Sequence, residues 1–108
     1  MLTHGNLTAA VAMYSAWNDD DLAKPGEGRA ICVLPLFHIY ALTSVMLRAI
    51  AETNELLLHA RFDAETIVKS VETRRATSFA GVPTMWTAIA NLPGVENRDF
   101  SSLRICAS

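Results

Sequence analysis

The chain has 108 residues, 51% of them hydrophobic and 19% charged, with nine basic and eleven acidic side chains for a net charge of −2. That length bounds it to one domain or a piece of one, and the apolar fraction excludes intrinsic disorder. Without a basic stripe to neutralise phosphates, the composition argues against a nucleic-acid partner.

So much apolar surface on so short a chain implies oligomerisation through exposed apolar faces, or contact with further chain. Cys32 and Cys106 sit in the apolar runs AICVL and LRICA, the setting of buried, reduced thiols in a cytoplasmic protein. There is no CxxC and no Cys/His cluster, so no zinc site is expected. The first residues lack the basic-then-apolar layout of a signal peptide. Ala30 to Leu47 carries no charged residue, long enough to test as a membrane span. Pro35 would break its hydrogen-bond ladder and His38 interrupts it, so no span is expected, which is compatible with peripheral association only.

In chain order, Gly5 to Trp17 reads as a helix capped by Thr3 or Asn6, with Leu7, Val11 and Tyr14 at helical spacing. A polar surface loop runs from Asn18 to Gly28. Its acidic run Asp19–Asp21 could hold a metal, but a solvated loop explains it better. Ala30–Leu34, stopped by Pro35, reads as a strand buried on both faces. The helix Ile39–Ala51 follows, interrupted only by Thr43, Ser44 and Arg48, and is expected to be buried nearly all round. Leu56–Ala60 is a second strand. Asp63 caps a helix to about Arg74, whose apolar stripe is Ile67, Val68 and Val71. Thr77–Ala80 is a third strand, Pro83 opens the helix Thr84–Asn91, and Leu103–Ala107 is a fourth strand.

Helices and strands therefore alternate, with strand starts recurring at the spacing of βαβ crossovers. The expected fold is α/β: a three-layer parallel sheet with flanking helices. Because the chain opens on a helix and stops on a strand, it is expected to be an incomplete portion of a larger domain, with no internal boundary across 1–108.

Ligands of parallel sheets bind beyond the carboxyl ends of the strands. There, His38 lies in a strand-to-helix turn between Phe37 and Tyr40. Gly81 permits close backbone approach ahead of a helix N-terminus. Tyr40 and Ser44, four apart, share a helix face that could line a pocket or simply pack. A single His beside aromatics is more often structural than catalytic. His4 is expected at a helix start and His59 in a strand. Trp17 and Trp86 are expected as packing anchors, and the methionines as gap-fillers.

Four segments carry a resemblance: Met1-Leu-Thr-His-Gly-Asn-Leu7, Leu34-Pro-Leu-Phe-His-Ile-Tyr-Ala-Leu42, Phe79-Ala-Gly-Val-Pro-Thr-Met-Trp86 and Phe100-Ser-Ser-Leu-Arg-Ile-Cys-Ala-Ser108. In this order and spacing they resemble AMP-forming acyl-CoA synthetases of the acyl-adenylating superfamily, nearest to fatty-acyl-CoA and 4-coumarate-CoA ligases. The resemblance covers the whole chain and places it in the middle of the family's large N-terminal domain. It implies an enzyme that joins a carboxylic acid, foremost a long-chain fatty acid, to coenzyme A through an acyl-adenylate. ATP, Mg2+ and coenzyme A would serve the full-length enzyme, with none bound by the isolated chain. The family's phosphate loop, adenine-binding turn and catalytic Lys would lie outside these residues. By the same resemblance His38 is the catalytic candidate, standing near the reacting carboxylate. Tyr40 and Ser44 would line the acyl pocket, and Gly81 would sit where backbone meets the acyl chain. Two other readings stay open: a non-catalytic α/β remnant that binds a partner or lipid, and an adenylating enzyme that passes its acyl group to a carrier protein.

Overall fold

The computed structural model describes residues 1–17 and 24–108. The acidic run Asp19–Asp21 lies outside the described residues. Helix α1 (His4–Trp17) begins with a reciprocal cap. Thr3 Oγ1 accepts from the Asn6 N–H at 3.1 Å while Asn6 Oδ1 accepts from the Thr3 N–H at 2.9 Å. Both expected capping residues thus act together, each satisfying an amide the helix start would leave orphaned. Strands β1 (Arg29–Cys32), β2 (Glu55–Leu58), β3 (Ser78–Ala80) and β4 (Ile105–Ala107) form one parallel sheet in the order β2-β1-β3-β4. The strands are shorter than their apolar runs. Val33 and Leu34 continue past the β1 ladder, and β4 starts only where the Arg104 and Ile105 amides reach the Thr77 carbonyl. His59 lies just beyond β2 rather than in it. Its N–H donates to the Cys32 carbonyl at 2.9 Å and its Nε2 pairs with Ser70 Oγ at 3.2 Å.

Register separates the two faces of the sheet. Ile31 pairs with Phe79, and Phe79 with Cys106; their side chains share one face because successive residues alternate. On that face Ile31, Val33 and Phe79 pack with Ile67, Val68 and Val71 of α3 (Ala64–Arg74) and Ile89 of α4 (Pro83–Ala90). The expected α3 stripe is the buried one. Asp63 caps α3 by accepting from the Thr66 N–H at 2.9 Å, and Pro83 occupies the first turn of α4. The opposite face presents Ala30, Ser78, Ala80, Ile105 and Ala107 beneath α1 and the segment that follows β1. The result is three layers, helices on both faces of a parallel sheet.

That segment departs from expectation. Residues Ala41–Leu47 form a π-helix that runs into α2 (Arg48–Ala51). Its wider turn rotates side chains away from a 3.6-residue wheel, so Ala41, Thr43, Val45 and Ala49 are buried. Ile39 and Ile50 are instead 46% and 62% exposed, and the helix is not buried all round. The Thr43 hydroxyl donates to the Ile39 carbonyl and the Ser44 hydroxyl to the Tyr40 carbonyl. These side-chain bonds hold the widened turn. Three further expectations fail. Trp17 is 86% exposed and Met13 is exposed with it, because α1 buries only Val11. Cys106 is exposed, since β4 is an edge strand and Cys106 stands outside the buried cluster. Cys32 is buried as expected, and burial pushes its thiol above the usual range.

The segment feeding β4 is clamped to α3 by charge. Arg98 binds Glu72 through Nε and Nη2 at 3.0 and 2.8 Å and Glu65 through Nη1 at 3.1 Å. Arg75 reaches Asp99 at 2.7 Å. Hydrogen bonds from Ser101, then the Arg75 pair, lower the Asp99 carboxyl to about 2. Arg98 and the Asp99 amide lower Glu72 as well.

Two outcomes are expected. Ile67→Ala should cost about 2–5 kcal/mol in denaturant unfolding, while Ile50→Ala should fall within about 0.5 kcal/mol of the parent. A depressed carboxylate contributes stability that is complete above its unfolded pKa and is lost as pH falls through its folded one. Asp99→Asn should therefore lower the melting temperature at about pH 5, with the difference closing as the pH falls to about 2. A difference that is flat with pH would mean the Asp99 carboxylate contributes nothing.

Candidate functional site

The strand order makes β1 and β3 neighbours whose following connections leave in opposite directions. The β1 connection crosses the small-residue face, and α4 covers the other. Such a switch point opens a crevice outside the carboxyl ends of the two strands. Two sequence-predicted segments meet that description, the turn 33–40 carrying His38 and the backbone at Gly81.

His38 is exposed, on a turn closed by its own N–H donating to the Pro35 carbonyl at 3.1 Å. Its Nδ1 accepts from the Tyr40 N–H at 3.3 Å. Because a backbone N–H can only donate, Nδ1 is an acceptor and the neutral ring carries its proton on Nε2. The imidazole is thereby set to offer an Nε2–H donor.

Below the crevice, a cavity of 560 Å³ runs between the sheet and the π-helix, within the range of small-molecule sites. Tyr40, Ser44 and Val45 wall it from above. Ala30, Ser78, Ala80, Ile105 and Ala107 make its floor. Tyr40 also lines a second, apolar groove of 510 Å³ with Leu7, Met13 and Ile39, and Tyr14 and Trp17 likewise line both spaces. The structure thus brings Tyr40 and Ser44 to one cavity. His38 and Gly81 are not among the residues that line it.

Gly81 is buried, and its tight neighbours are aromatic. A Cβ built there would lie 3.1 Å from Phe79 Cζ and 3.3 Å from Trp86 Nε1. Those two rings pack with centroids 4.7 Å apart at 52°, so Trp86 is the packing anchor that was expected and Trp17 is not. Sequence reasoning missed the far end of the cavity, where Ser15, Arg48, Glu52 and Asn54 form its lining. One signal was there to find it: Arg48 is the single charge inside the apolar stretch 39–51.

Among the described residues, no group of three or more His, Cys, Asp or Glu side chains could hold a metal ion, and no helix is long and apolar enough to cross a membrane.

A family model described as AMP-binding enzyme matches residues 1–108. A long-chain-fatty-acid–CoA ligase of Bacillus subtilis (strain 168) is 34% identical over 108 residues, covering 100% of this chain and 19% of that protein. 4-Coumarate–CoA ligase 2 of Oryza sativa subsp. japonica is 37% identical over 108 residues, with coverage of 100% and 19%. The solved N-terminal domain of FACL13 from Mycobacterium tuberculosis matches with a TM-score of 0.76 and 22% identity, over 93% of this chain and 24% of that one. At that identity it shows the fold alone. The chain spans about a fifth of the length of the curated relatives it matches.

Gly81→Ala should displace the Phe79 and Trp86 rings by a few tenths of an ångström. Trp86 fluorescence and near-ultraviolet circular dichroism should both change, with far-ultraviolet dichroism retained. Unchanged aromatic signals would mean that the rings do not depend on the missing side chain.

Proposed function

The chain belongs to the family of AMP-binding enzymes, and we propose that the polypeptide it comes from is an AMP-forming carboxylic acid–CoA ligase. In this reading the carboxylate attacks the α-phosphate of ATP, releasing pyrophosphate and giving an acyl-adenylate. The coenzyme A thiol then loses its proton, attacks the acyl carbon and displaces AMP to give the thioester. The chain would be part of the large N-terminal domain of that enzyme, without an internal boundary. The observation that carries the reading is the cavity opening at the β1/β3 switch point, in a chain whose whole length matches the family.

The described residues offer no set of carboxylates for Mg2+ and no glycine-rich loop to cradle a triphosphate. They do not fit the nucleotide or its metal, so in the proposed reaction those groups would be held by other parts of the polypeptide. What these residues do is place the acid. Its tail would lie in the cavity under Tyr40 and Ser44. His38 would offer its Nε2–H where the carboxylate approaches a second anion, easing a repulsive encounter. Gly81 would act through Phe79 and Trp86, the rings packed against it, by fixing the backbone at the mouth.

The identity of the acid is a finer question. The Bacillus relative is named for long-chain fatty acids and the Oryza relative for 4-coumarate. The cavity is apolar beneath Tyr40 and Val45 and polar at its far end, which favours a medium-length or aromatic acid over a long plain alkyl chain.

The natural polypeptide carrying this sequence should catalyse carboxylic-acid-dependent exchange of pyrophosphate into ATP, and the 108 residues alone should not. His38→Ala should lower that exchange about 10²–10³-fold while circular dichroism and melting stay as in the parent. An unchanged rate would remove His38 from the chemistry. Exchange by the isolated chain would mean that the nucleotide site lies within these residues.

A further inference from the structure

The cavity has two chemically different ends. Its near end, beneath Tyr40 and beside Ala80 and Ala107, lies at the carboxyl ends of the strands. Its far end lies at their amino ends, by Gly28 and Thr77, roughly 10 Å further along the strands at the usual rise per residue. There Glu52 gathers three donors. Its Oε1 accepts from Arg48 Nε at 2.9 Å and from Ser15 Oγ at 3.0 Å, and its Oε2 accepts from Asn54 Nδ2 at 3.1 Å. Asn54 is pinned in turn, since its Oδ1 accepts from the Gly26 and Gly28 amides at 3.1 and 3.0 Å. The Glu52 carboxylate is therefore spoken for, and the turn ahead of β1 is tied to it.

Arg48 is not fully engaged. Its side chain is only 16% exposed and it lines the cavity. Nε is used on Glu52, and the two Nη groups make no hydrogen bond among the described residues. No buried side-chain nitrogen or oxygen among the described residues lacks a partner, so the Nη donors of this half-buried guanidinium reach water, and a tail that covers them must return an acceptor or forfeit those bonds. Glu52 already balances the charge, so the matched partner is a neutral oxygen rather than a second carboxylate. The other cation on the lining, Lys24, is exposed.

We propose that Arg48, held by Glu52, is the specificity-determining stop at the far end of the acyl cavity, selecting acids whose distal end carries a neutral oxygen acceptor such as a hydroxyl or carbonyl. The inference rests on the ligase reading above and narrows its substrate class. A plain alkyl tail long enough to reach Arg48 strips water from the guanidinium and returns no hydrogen bond. A tail of equal length ending in a hydroxyl returns one. Discrimination of this kind comes from the site's own polar groups being left unpaired by the wrong tail.

The test uses the full natural polypeptide and two matched acid series, straight-chain alkanoic acids and their ω-hydroxy counterparts. Direct binding by calorimetry should favour the ω-hydroxy acid about 10–100-fold at the length that reaches Arg48, with no preference for shorter acids. Equal binding at every length would overturn the proposal, and this measurement needs no variant. In the double variant Arg48→Met/Glu52→Gln, which leaves no orphaned carboxylate, the ratio of kcat/KM for ω-hydroxy over alkyl acid in pyrophosphate exchange should fall to about threefold or less. A ratio that holds within twofold of the parent would overturn the role of Arg48 while leaving the ligase reading intact. Absence of exchange with any acid in the parent would overturn the ligase reading and this inference together.

Discussion

The sheet's two faces are unequal, and the rest of the molecule follows from that inequality. On one face Ile31, Val33 and Phe79 fill the space under α3 and α4. On the other, the positions in register with one another are Ala30, Ser78 and Ile105, then Ala80 and Ala107. Large residues bury area and fix the helices; small ones cannot fill the gap beneath a helix packed about 10 Å above a sheet. The space left over is the cavity. Its shape is thus written into strand parity, and a one-residue slip in β3 would exchange Phe79 for Ala80 and close it.

Above that floor, the roof is made by a helix wound too wide. A π-helical stretch of seven residues is uncommon, and such stretches recur where a side chain must be re-aimed. Here Ala41, Thr43, Val45 and Ala49 are buried, and of these Val45 and Ala49 join Ser44 in the roof of the cavity. Tyr40 is the large residue of the roof, and with Tyr14 and Trp17 it lines both the cavity and the apolar groove against α1. The hydroxyls of Thr43 and Ser44 bond the carbonyls one turn back. Both residues therefore serve the backbone, and because Ser44 also lines the cavity, a substitution there acts on roof geometry before it acts on any ligand.

Where an element depends on local signals, the sequence read true. Asp63 and Thr66, the Ile67, Val68 and Val71 stripe and Pro83 each identify a helix by short-range chemistry, and the alternation of strands with helices identifies the parallel sheet. The failures share one cause, the need for information from far along the chain. A 3.6-residue wheel assigns Ile39 and Ile50 to the core, but the π-helix shifts the phase. Cys106 looks buried by its neighbours in sequence, yet edge placement decides its exposure. Trp17 follows the same pattern, since nothing described packs over that end of α1. At the site, Tyr40 and Ser44 could be paired from their spacing alone. Arg48 could not be placed, because its partner Glu52 gathers Ser15 and Asn54 as well only once α1, α2 and the turn before β2 are folded together.

The polar end and the mouth of the cavity are built by different means, and that difference separates what each can evolve. Around His38 a short turn, one carbonyl and one amide set the ring's proton on Nε2; the arrangement is local and survives changes elsewhere. Around Arg48 the hydrogen bonds join residues from α1, α2 and the turn before β1. Under the proposal, changing that end would alter which tail fits without touching the imidazole or the strands that carry it. In the proposed reading, reaction and selection would sit at opposite ends of the same strands, joined by the floor of Ala30, Ser78, Ala80, Ile105 and Ala107.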